Sequence, residues 1–220
     1  MMGIQRWLLA TIWLALATGA AGAATPDAAQ IVAAGNGRGA LPCASCHGAD
    51  GAGQAAAGFP RLAGLDAAYL QHQLDSFADG TRTNATMAPV ANALDAAERH
   101  ALAAYYAGLP VPAAPPAPAT DGDRALGGQL ALRGLWDKQV PGCVQCHGPR
   151  GVGVGAHFPP LTGQSATYIA SQLRDWQQGK RKNDPLGLMQ HVASALDEAD
   201  IKAVSAWFAA QPAAATGGQP

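Results

Sequence analysis

Two C-x-x-C-H pentapeptides contain all four cysteines of the 220-residue chain, one at Cys43–His47 and one at Cys143–His147. Within a helical turn, the two cysteines of a pentapeptide lie three residues apart on one face, so both sulfurs can form thioethers with the vinyl groups of one porphyrin. The histidine that follows points at the iron and becomes its proximal axial ligand. The motifs therefore predict two covalently bound haem c groups, attached through Cys43, Cys46, Cys143 and Cys146 and ligated by His47 and His147.

A structural disulfide, a redox-active cysteine pair and a four-cysteine zinc site are the alternative interpretations of these motifs. Zinc ribbons place their C-x-x-C pairs about 15–20 residues apart, whereas the two motifs here begin at residues 43 and 143. A redox-active pair does not require histidine at the next position, and here that histidine occurs twice. The pattern therefore favours haem attachment.

The first 23 residues have the three parts of a secretory signal peptide. Arg6 supplies a short basic region, residues 7–17 are apolar, and Ala21-Gly22-Ala23 is an A-x-A cleavage site. An uncleaved membrane anchor is the alternative, but the apolar core is shorter than the roughly 20 residues that a spanning helix needs. We therefore predict cleavage after Ala23 or Ala24 and export, which in a bacterium means a periplasmic protein.

The composition indicates a globular helical protein and excludes one class of partner. Lysine and arginine total 14 and aspartate and glutamate total 15, so the chain lacks the basic balance that nucleic-acid binding requires. Abundant alanine and glycine favour short helices joined by glycine-rich loops. We therefore expect an all-α protein whose partners are redox proteins, with peripheral membrane association left open.

An internal repeat predicts the domain organisation. After each motif the same pattern recurs: Phe59-Pro60-Arg61-Leu62 matches Phe158-Pro159-Pro160-Leu161, and later positions match with a three-residue insertion in the second copy. Among the matched pairs are Tyr69 and Tyr168, Gln73 and Gln172, Phe77 and Trp176, Arg82 and Arg181, and Met87 and Met189. The predicted organisation is a signal peptide (1–23), a first domain (24–110), a Pro/Ala-rich linker (111–120), a second domain (121–212) and a flexible tail (213–220).

Helical periodicity and capping signals place three helices in each copy. The predicted helices cover residues 28–34, 66–77 and 95–107 in the first copy and 125–132, 165–177 and 197–210 in the second. Asp95 and Asp197 each precede an acidic residue by three positions, which is a capping signal. The last helices should bury Leu102, Tyr105, Val204, Trp207 and Phe208. Because each domain is small, a buried haem would complete its apolar core.

A second axial ligand for each iron decides between electron transfer and catalysis. Met87 and Met189 occupy equivalent places in the two copies, in predicted loops just before the last helix, and thioether sulfur is a common axial ligand. The alternative is that both methionines only fill the core. One methionine per repeat at matching positions favours iron ligation by both.

The remaining histidines are possible competitors for this role. His72 and His100 fall within predicted helices of the first copy, where the second copy has Ser171 and Lys202, so we expect them on the surface. His157 falls in a glycine-rich loop. His191, two residues after Met189, is the main rival because a local shift of that segment would present it to the iron.

Taken together, these motifs resemble a known family. The order C-x-x-C-H-G, F-P-x-L, a methionine segment and L-D-x-x-(D/E) before an aromatic-ended helix is similar to class I cytochrome c. Two such domains in tandem resemble the dihaem cytochrome c4 family. The resemblance implies that two haems lie close across a domain interface and pass electrons to a terminal oxidase or another acceptor. At the second site Gln190-His191 replaces the Ala-Pro that follows Met87, so the match there is less complete.

Iron held by histidine and methionine on both faces has no open position for a substrate, so its chemistry is one-electron transfer. We therefore predict a periplasmic electron carrier rather than an enzyme. The alternative is the dihaem subunit of a periplasmic dehydrogenase, similar to flavocytochrome c sulfide dehydrogenase. A dihaem peroxidase or a thiosulfate dehydrogenase is disfavoured, since no spare cysteine remains for ligation. The basic run at residues 180–182 is a candidate surface for steering an acidic partner.

Overall fold

The computed structural model describes residues 26–113, 119–184 and 186–213. Within them the chain forms two similar helical units, which confirms the predicted all-α class. The predicted signal peptide, the centre of the predicted linker and nearly all of the predicted tail lie outside the described residues. None of the described helices is long and apolar enough to cross a membrane.

Among the described residues, each unit contains five α-helices in the same order, besides short 3-10 turns. In the first unit these are α1 (Ala28–Ala34), α2 (Ala44–His47), α3 (Ala67–Asp79), α4 (Met87–Asn92) and α5 (Ala96–Ala107). In the second they are α6 (Asp121–Leu132), α7 (Val144–His147), α8 (Ala166–Gln177), α9 (Leu188–Ala195) and α10 (Glu198–Ala209). Two short antiparallel strands, β1 (Gly134–Leu135) and β2 (Val140–Pro141), add a hairpin to the second unit that the sequence did not predict.

The long helices begin at side-chain caps close to their predicted starts, and the predicted start of one helix is corrected. Asp95 and Asp197 both form capping boxes, at the starts of α5 and α10. Helix α6 begins four residues before its predicted start at residue 125. The reason is Thr120, whose hydroxyl accepts a hydrogen bond from the backbone N–H of Asp123 and so caps the helix earlier.

The two methionines lie in helices, so the prediction that they occupy loops was wrong. Met87 is the first residue of α4 and Met189 the second residue of α9. The side chain of Asn84 accepts from the backbone N–H of Met87 at 2.9 Å, and the carboxylate of Asp184 accepts from the backbone N–H of Met189. These two polar side chains satisfy N–H groups that an uncapped helix start would leave unpaired.

Each unit has its own hydrophobic core between its long helices. Tyr106 and Phe208 are among the buried residues, whereas Tyr105 and Trp207, which the sequence placed inside with Phe208, are only partly buried. Helices α6 and α10 cross closely at Gly127, where an added Cβ would lie 2.3 Å from the carbonyl oxygen of Ala203. Only glycine allows this approach of the two backbones.

Candidate haem sites

Each C-x-x-C-H motif folds into a single helical turn. The backbone N–H of His47 donates to the carbonyl of Cys43 at 2.9 Å, and that of His147 donates to the carbonyl of Cys143 at the same distance. Both turns end at a glycine with positive φ, Gly48 and Gly148, a conformation that favours glycine. The motif spacing therefore produces the local geometry that the sequence predicted.

The two motif histidines are buried and similarly oriented. Nδ1 of His47 lies 3.0 Å from the carbonyl oxygen of Pro60, and Nδ1 of His147 lies 2.7 Å from that of Pro159. A carbonyl only accepts, so Nδ1 must donate its hydrogen, which leaves the lone pair of Nε2 for a metal. Burial lowers the pKa of both histidines, and the proline carbonyls only partly oppose this shift. Both rings are therefore held neutral, as metal ligation requires.

The repeated F-P-x-L segment supplies these carbonyls and part of the packing around the rings. The ring centroids of Phe59 and His47 lie 6.3 Å apart. Those of Phe158 and His147 lie 6.1 Å apart in an edge-to-face arrangement. The sequence analysis detected the repeat of this segment but not its hydrogen-bonding role, since a backbone carbonyl leaves no trace in the amino-acid pattern.

One cavity of about 780 Å³ reaches both units. Six of the eight predicted site residues line it, together with many apolar side chains; the six are Cys43, Cys46, His47, Met87, His147 and Met189. Cys143 instead packs against the core of the second unit, and Cys146 is exposed. His191 is exposed and does not line the cavity, whereas His72 and His157 reach its edge.

No disulfide joins any two of the four cysteines, all of which lie among the described residues. Burial raises the pKa of the Cys43 thiol and raises that of Cys143 to about 11. Among the described residues, no three His, Cys, Asp or Glu side chains come together as a group able to hold a metal ion. This arrangement does not favour the four-cysteine zinc interpretation.

The prediction that residues 180–182 form a basic surface was only partly correct. Lys180 and Lys182 are exposed, but Arg181 is buried, with 8% of its surface accessible. It turns towards the other unit, where Arg82 occupies the equivalent position. The sequence analysis matched these two arginines as a repeated pair without recognising that they meet.

The arrangement fits a c-type haem in each unit. The cavity walls are predominantly apolar, and each buried histidine leaves its Nε2 atom free. Each unit also contributes one methionine, Met87 or Met189, to the cavity lining. In addition, the buried Nε of Arg181 has no hydrogen-bond partner among the described residues. An anionic group within the cavity would supply that missing acceptor.

Comparison with known proteins agrees with this geometry. The cytochrome c family profile matches residues 32–109 and 135–211, one match in each unit. The chain belongs to the cytochrome c family. Its two tandem domains carry two covalently bound haem c groups, and the protein transfers electrons.

Two kinds of relative are similar over most of the chain. The thiosulfate dehydrogenase electron acceptor of Stutzerimonas stutzeri (strain A1501) is 51% identical over 170 residues, 77% of this chain and 79% of that protein. The protein of the same name from Thiomonas intermedia (strain K12) is 49% identical over 94% of this chain and 89% of its own length. Cytochrome c4 of Pseudomonas aeruginosa is 38% identical over 82% of this chain and 89% of its own length.

Solved structures of related proteins share the fold. A thiosulfate dehydrogenase from Marichromatium purpuratum, in its as-isolated form, superposes with a TM-score of 0.78 and 43% identity over 84% of this chain. This chain covers only 40% of that longer one. Reduced cytochrome c4 from Pseudomonas stutzeri gives a TM-score of 0.70 at 34% identity, over 76% of this chain and 92% of its own. The predicted resemblance to the dihaem cytochrome c4 family is confirmed.

Proposed function

We propose that this dihaem cytochrome accepts electrons from a thiosulfate-oxidising dehydrogenase and passes them singly to a respiratory acceptor. The observation that carries the proposal is the identity of 49–51% to thiosulfate dehydrogenase electron acceptors, compared with 38% to a cytochrome c4. It develops the dehydrogenase alternative considered from the sequence, with thiosulfate in place of sulfide as the substrate of the partner enzyme.

In this proposal the first haem is attached at Cys43 and Cys46 and the second at Cys143 and Cys146. His47 and Met87 would hold the first iron, and His147 and Met189 would hold the second. Each bound haem supplies a one-electron couple between ferric and ferrous iron. With both axial positions filled by protein, neither iron offers a site to thiosulfate itself.

The protein's own groups set the properties of these sites. The hydrogen bond from Nδ1 of His47 to the carbonyl of Pro60 fixes the ring orientation and makes Nε2 a stronger ligand, and Pro159 does the same for His147. The apolar walls exclude water, which together with a thioether ligand favours the ferrous form. Both sites are thus suited to receiving electrons from a donor of lower potential.

Exposed leucines at the edge of the shared cavity are suited to contact with a redox partner. Leu186 and Leu188 are 81% and 49% exposed and line the cavity beside Met189, and Leu41 is 62% exposed beside Cys43. The two leucines near Met189 lie between Asn183 and Met189, in the segment that is three residues longer than its counterpart in the first copy. We assign electron entry from the dehydrogenase to this edge, because apolar side chains there can be buried by a partner close to the second haem.

The location completes the proposal. Residues 1–23 direct export, and the mature cytochrome acts in the periplasm, where haem is attached. Expression of the full chain in a bacterium that matures c-type cytochromes, followed by fractionation and N-terminal sequencing, tests this. A mature N-terminus at Ala24 or Thr25 in the periplasmic fraction is the expected result, and a membrane-bound chain that retains residues 1–23 would contradict it.

The partner is tested by direct reduction. The oxidised holo-protein is mixed with thiosulfate and the thiosulfate dehydrogenase of Thiomonas intermedia, and reduction of the haems is followed in a stopped-flow spectrometer. We expect reduction at least about tenfold faster than that of Pseudomonas aeruginosa cytochrome c4 under the same conditions. Thiosulfate without the dehydrogenase is the blank, and equal rates for the two cytochromes would contradict the assignment of the partner.

A general respiratory carrier of the cytochrome c4 type is the second candidate, and the identity of 38% to a cytochrome c4 supports it. It predicts that the reduced protein is oxidised by membranes containing a terminal oxidase, whether or not a dehydrogenase is present. The two functions are distinguishable, because only the first requires selective reduction by the thiosulfate-oxidising enzyme.

A further inference from the structure

The last helix of each domain places a buried aromatic ring at the same position. Tyr106 in α5 and Phe208 in α10 are 4% and 1% exposed. Each ring packs against a glycine shortly after the haem motif of its own domain. A Cβ added at Gly51 would lie 3.0 Å from Cδ1 of Tyr106, and one added at Gly151 would lie 2.5 Å from Cε1 of Phe208. The two rings are therefore equivalent, and the domains differ here by one hydroxyl group.

The hydroxyl of Tyr106 is buried and has no hydrogen-bond partner among the described residues. A buried tyrosine usually pairs its O–H group, because an unpaired polar group inside a protein costs free energy. At the equivalent position of the second domain, Phe208 avoids this cost. The first domain therefore needs a further acceptor, and a chemical change at a neighbouring residue is one way to create it.

Tyr106 belongs to the wall of the first haem site. It lines the cavity that Cys43, His47 and Met87 also line. Phe208 is not among the described residues that line this cavity. The difference of one hydroxyl group therefore falls at a haem site and distinguishes the first site from the second.

Cys43 is a neighbour of this hydroxyl. Its side chain packs against the hydrophobic cluster that contains Tyr106. Burial raises the pKa of the Cys43 thiol, and the Tyr106 hydroxyl partly opposes that rise. Burial also raises the pKa of Tyr106, and the Cys43 thiol adds to that rise. The two groups therefore act on each other, although no hydrogen bond joins them.

Haem attachment changes what the sulfur of Cys43 can do. Addition of the thiol across a vinyl group forms a carbon–sulfur bond and moves the thiol hydrogen to the other vinyl carbon. A thiol can donate or accept a hydrogen bond, whereas the thioether that replaces it can only accept. We propose that the Tyr106 hydroxyl donates a hydrogen bond to the thioether sulfur of Cys43 and so raises the midpoint potential of the first haem. The proposal rests on haem attachment at the first motif and holds whichever dehydrogenase is the partner.

This hydrogen bond separates the two haems in potential. The O–H group directs the positive end of its dipole at a sulfur that is bonded to the porphyrin, which favours the more electron-rich ferrous form. Phe208 offers no such group to Cys143. Tyr106 acts through Cys43 and not at the iron, so it is a positioning residue.

The test is spectroelectrochemical titration of the holo-protein and its variants. In Tyr106→Phe, at a fixed potential, we expect the ferrous-to-ferric ratio of the first haem to fall by about fivefold and that of the second to change by less than about twofold, which is the scale of one hydrogen bond at one site. The two haems are told apart by Met87→Ala, which should alter the titration of the first haem only.

Tyr105→Phe is the matched control. Tyr105 precedes Tyr106 in the same helix, and the two rings pack edge to face with their centroids 5.4 Å apart. It is only partly buried, and it is not among the described residues that line the cavity. Removing its hydroxyl should leave the ferrous-to-ferric ratios of both haems unchanged.

The stability of the holo-protein provides a second measurement. Removal of an unpaired buried hydroxyl would leave the protein equally stable or more stable, whereas removal of a paired one destabilises it. We therefore expect the equilibrium constant for chemical unfolding to rise by about fivefold in Tyr106→Phe. Tyr106→Leu also lacks the hydroxyl, and it should lower the ferrous-to-ferric ratio of the first haem to the same extent as Tyr106→Phe.

Several outcomes would overturn the proposal. These are equal or greater stability of Tyr106→Phe, an equal change at both haems, or a change at the first haem no larger than that in Tyr105→Phe. A loss of stability without any change in ratio would assign the hydroxyl to another acceptor, such as a buried water molecule. A change in Tyr106→Leu alone would assign the effect to the ring. If Tyr106→Phe yields no holo-protein, Tyr106→Leu decides by the same titration.

Discussion

Nδ1 of His47 donates to the carbonyl oxygen of Pro60 across 3.0 Å, and this single hydrogen bond fixes which nitrogen of the ring is available to iron. The same relationship recurs between His147 and Pro159 at 2.7 Å. Backbone carbonyls hold both histidine rings in place, so the fold around each motif orients the histidine that is proposed to bind iron. The proposed methionine ligands lie on the more distant helices α4 and α9, and the first two predictions address them.

Met87→Ala should open the first iron and leave the second unchanged. Removing the thioether leaves a vacant axial position, so the reduced variant should bind about one carbon monoxide per protein, where the wild type binds none. The near-infrared methionine-to-iron band of the oxidised protein should fall to about half. Pyridine haemochrome must still report two haems per chain. An intact band would mean that Met87 is not a ligand.

The second iron provides a direct comparison of two neighbouring side chains. Met189 lines the cavity, whereas His191 is exposed and lies away from it. Met189→Ala should therefore abolish half of the methionine band, and His191→Ala should leave the band and the potentials unchanged. Retention of the full band in Met189→Ala, or its alteration in His191→Ala, would show that the ligand at this site was wrongly assigned.

Leu186 and Leu188 should matter for the partner and not for the haem. Replacing both with serine removes apolar surface beside Met189, and we expect the second-order rate of reduction by the dehydrogenase to fall by about tenfold. Leu132→Ser is the matched control, because Leu132 is 51% exposed and does not line the cavity. Reduction by dithionite should be equal in all three proteins. A loss of rate in the control alone would place the docking surface elsewhere.

Gly127 tests the crossing of α6 and α10. Gly127→Ala would place a methyl group against the backbone of Ala203. We therefore expect the free energy of unfolding to fall by about 1–3 kcal/mol, the usual cost of overpacking. Gly122→Ala in the same helix meets only Thr120, at 4.0 Å. It should be neutral or stabilising, because alanine favours helix more than glycine does. Chemical unfolding of the two holo-proteins measures the difference, and equal stabilities would contradict the close crossing.

Gln164 tests the interface away from the arginine pair. Its side chain accepts from the backbone N–H of Arg61 at 3.1 Å and donates to the carbonyl of Arg61 at 2.8 Å. Gln164→Ala leaves both buried groups unpaired, at a cost of about 1–3 kcal/mol. We expect limited proteolysis in the segment of residues 111–120 to accelerate, while Gln178→Ala, a change at an exposed glutamine, behaves as wild type. Unchanged proteolysis of Gln164→Ala would mean that this pair does not hold the domains together.

Much of the fold could be predicted from the sequence, because it depends on short-range spacing. The turn of each C-x-x-C-H motif, the capping boxes at Asp95 and Asp197 and the periodicity of the long helices all arise within a few residues of one another. Errors occurred where a nearby polar side chain changed the local structure. Thr120 caps α6, so this helix begins before its predicted start. Asn84 and Asp184 accept hydrogen bonds from the backbone N–H groups of Met87 and Met189, so the methionine segments begin helices.

The sequence by itself determined the chemistry of the protein: two cysteines and a histidine in fixed spacing occur twice and predict where two haems are attached. Only the tertiary structure decided how the two domains act on each other. Arg82 and Arg181 could be matched as a repeated pair, yet Arg181 was expected at the surface. Their meeting depends on how the domains dock, and that depends on contacts between residues about a hundred positions apart, which no local periodicity records.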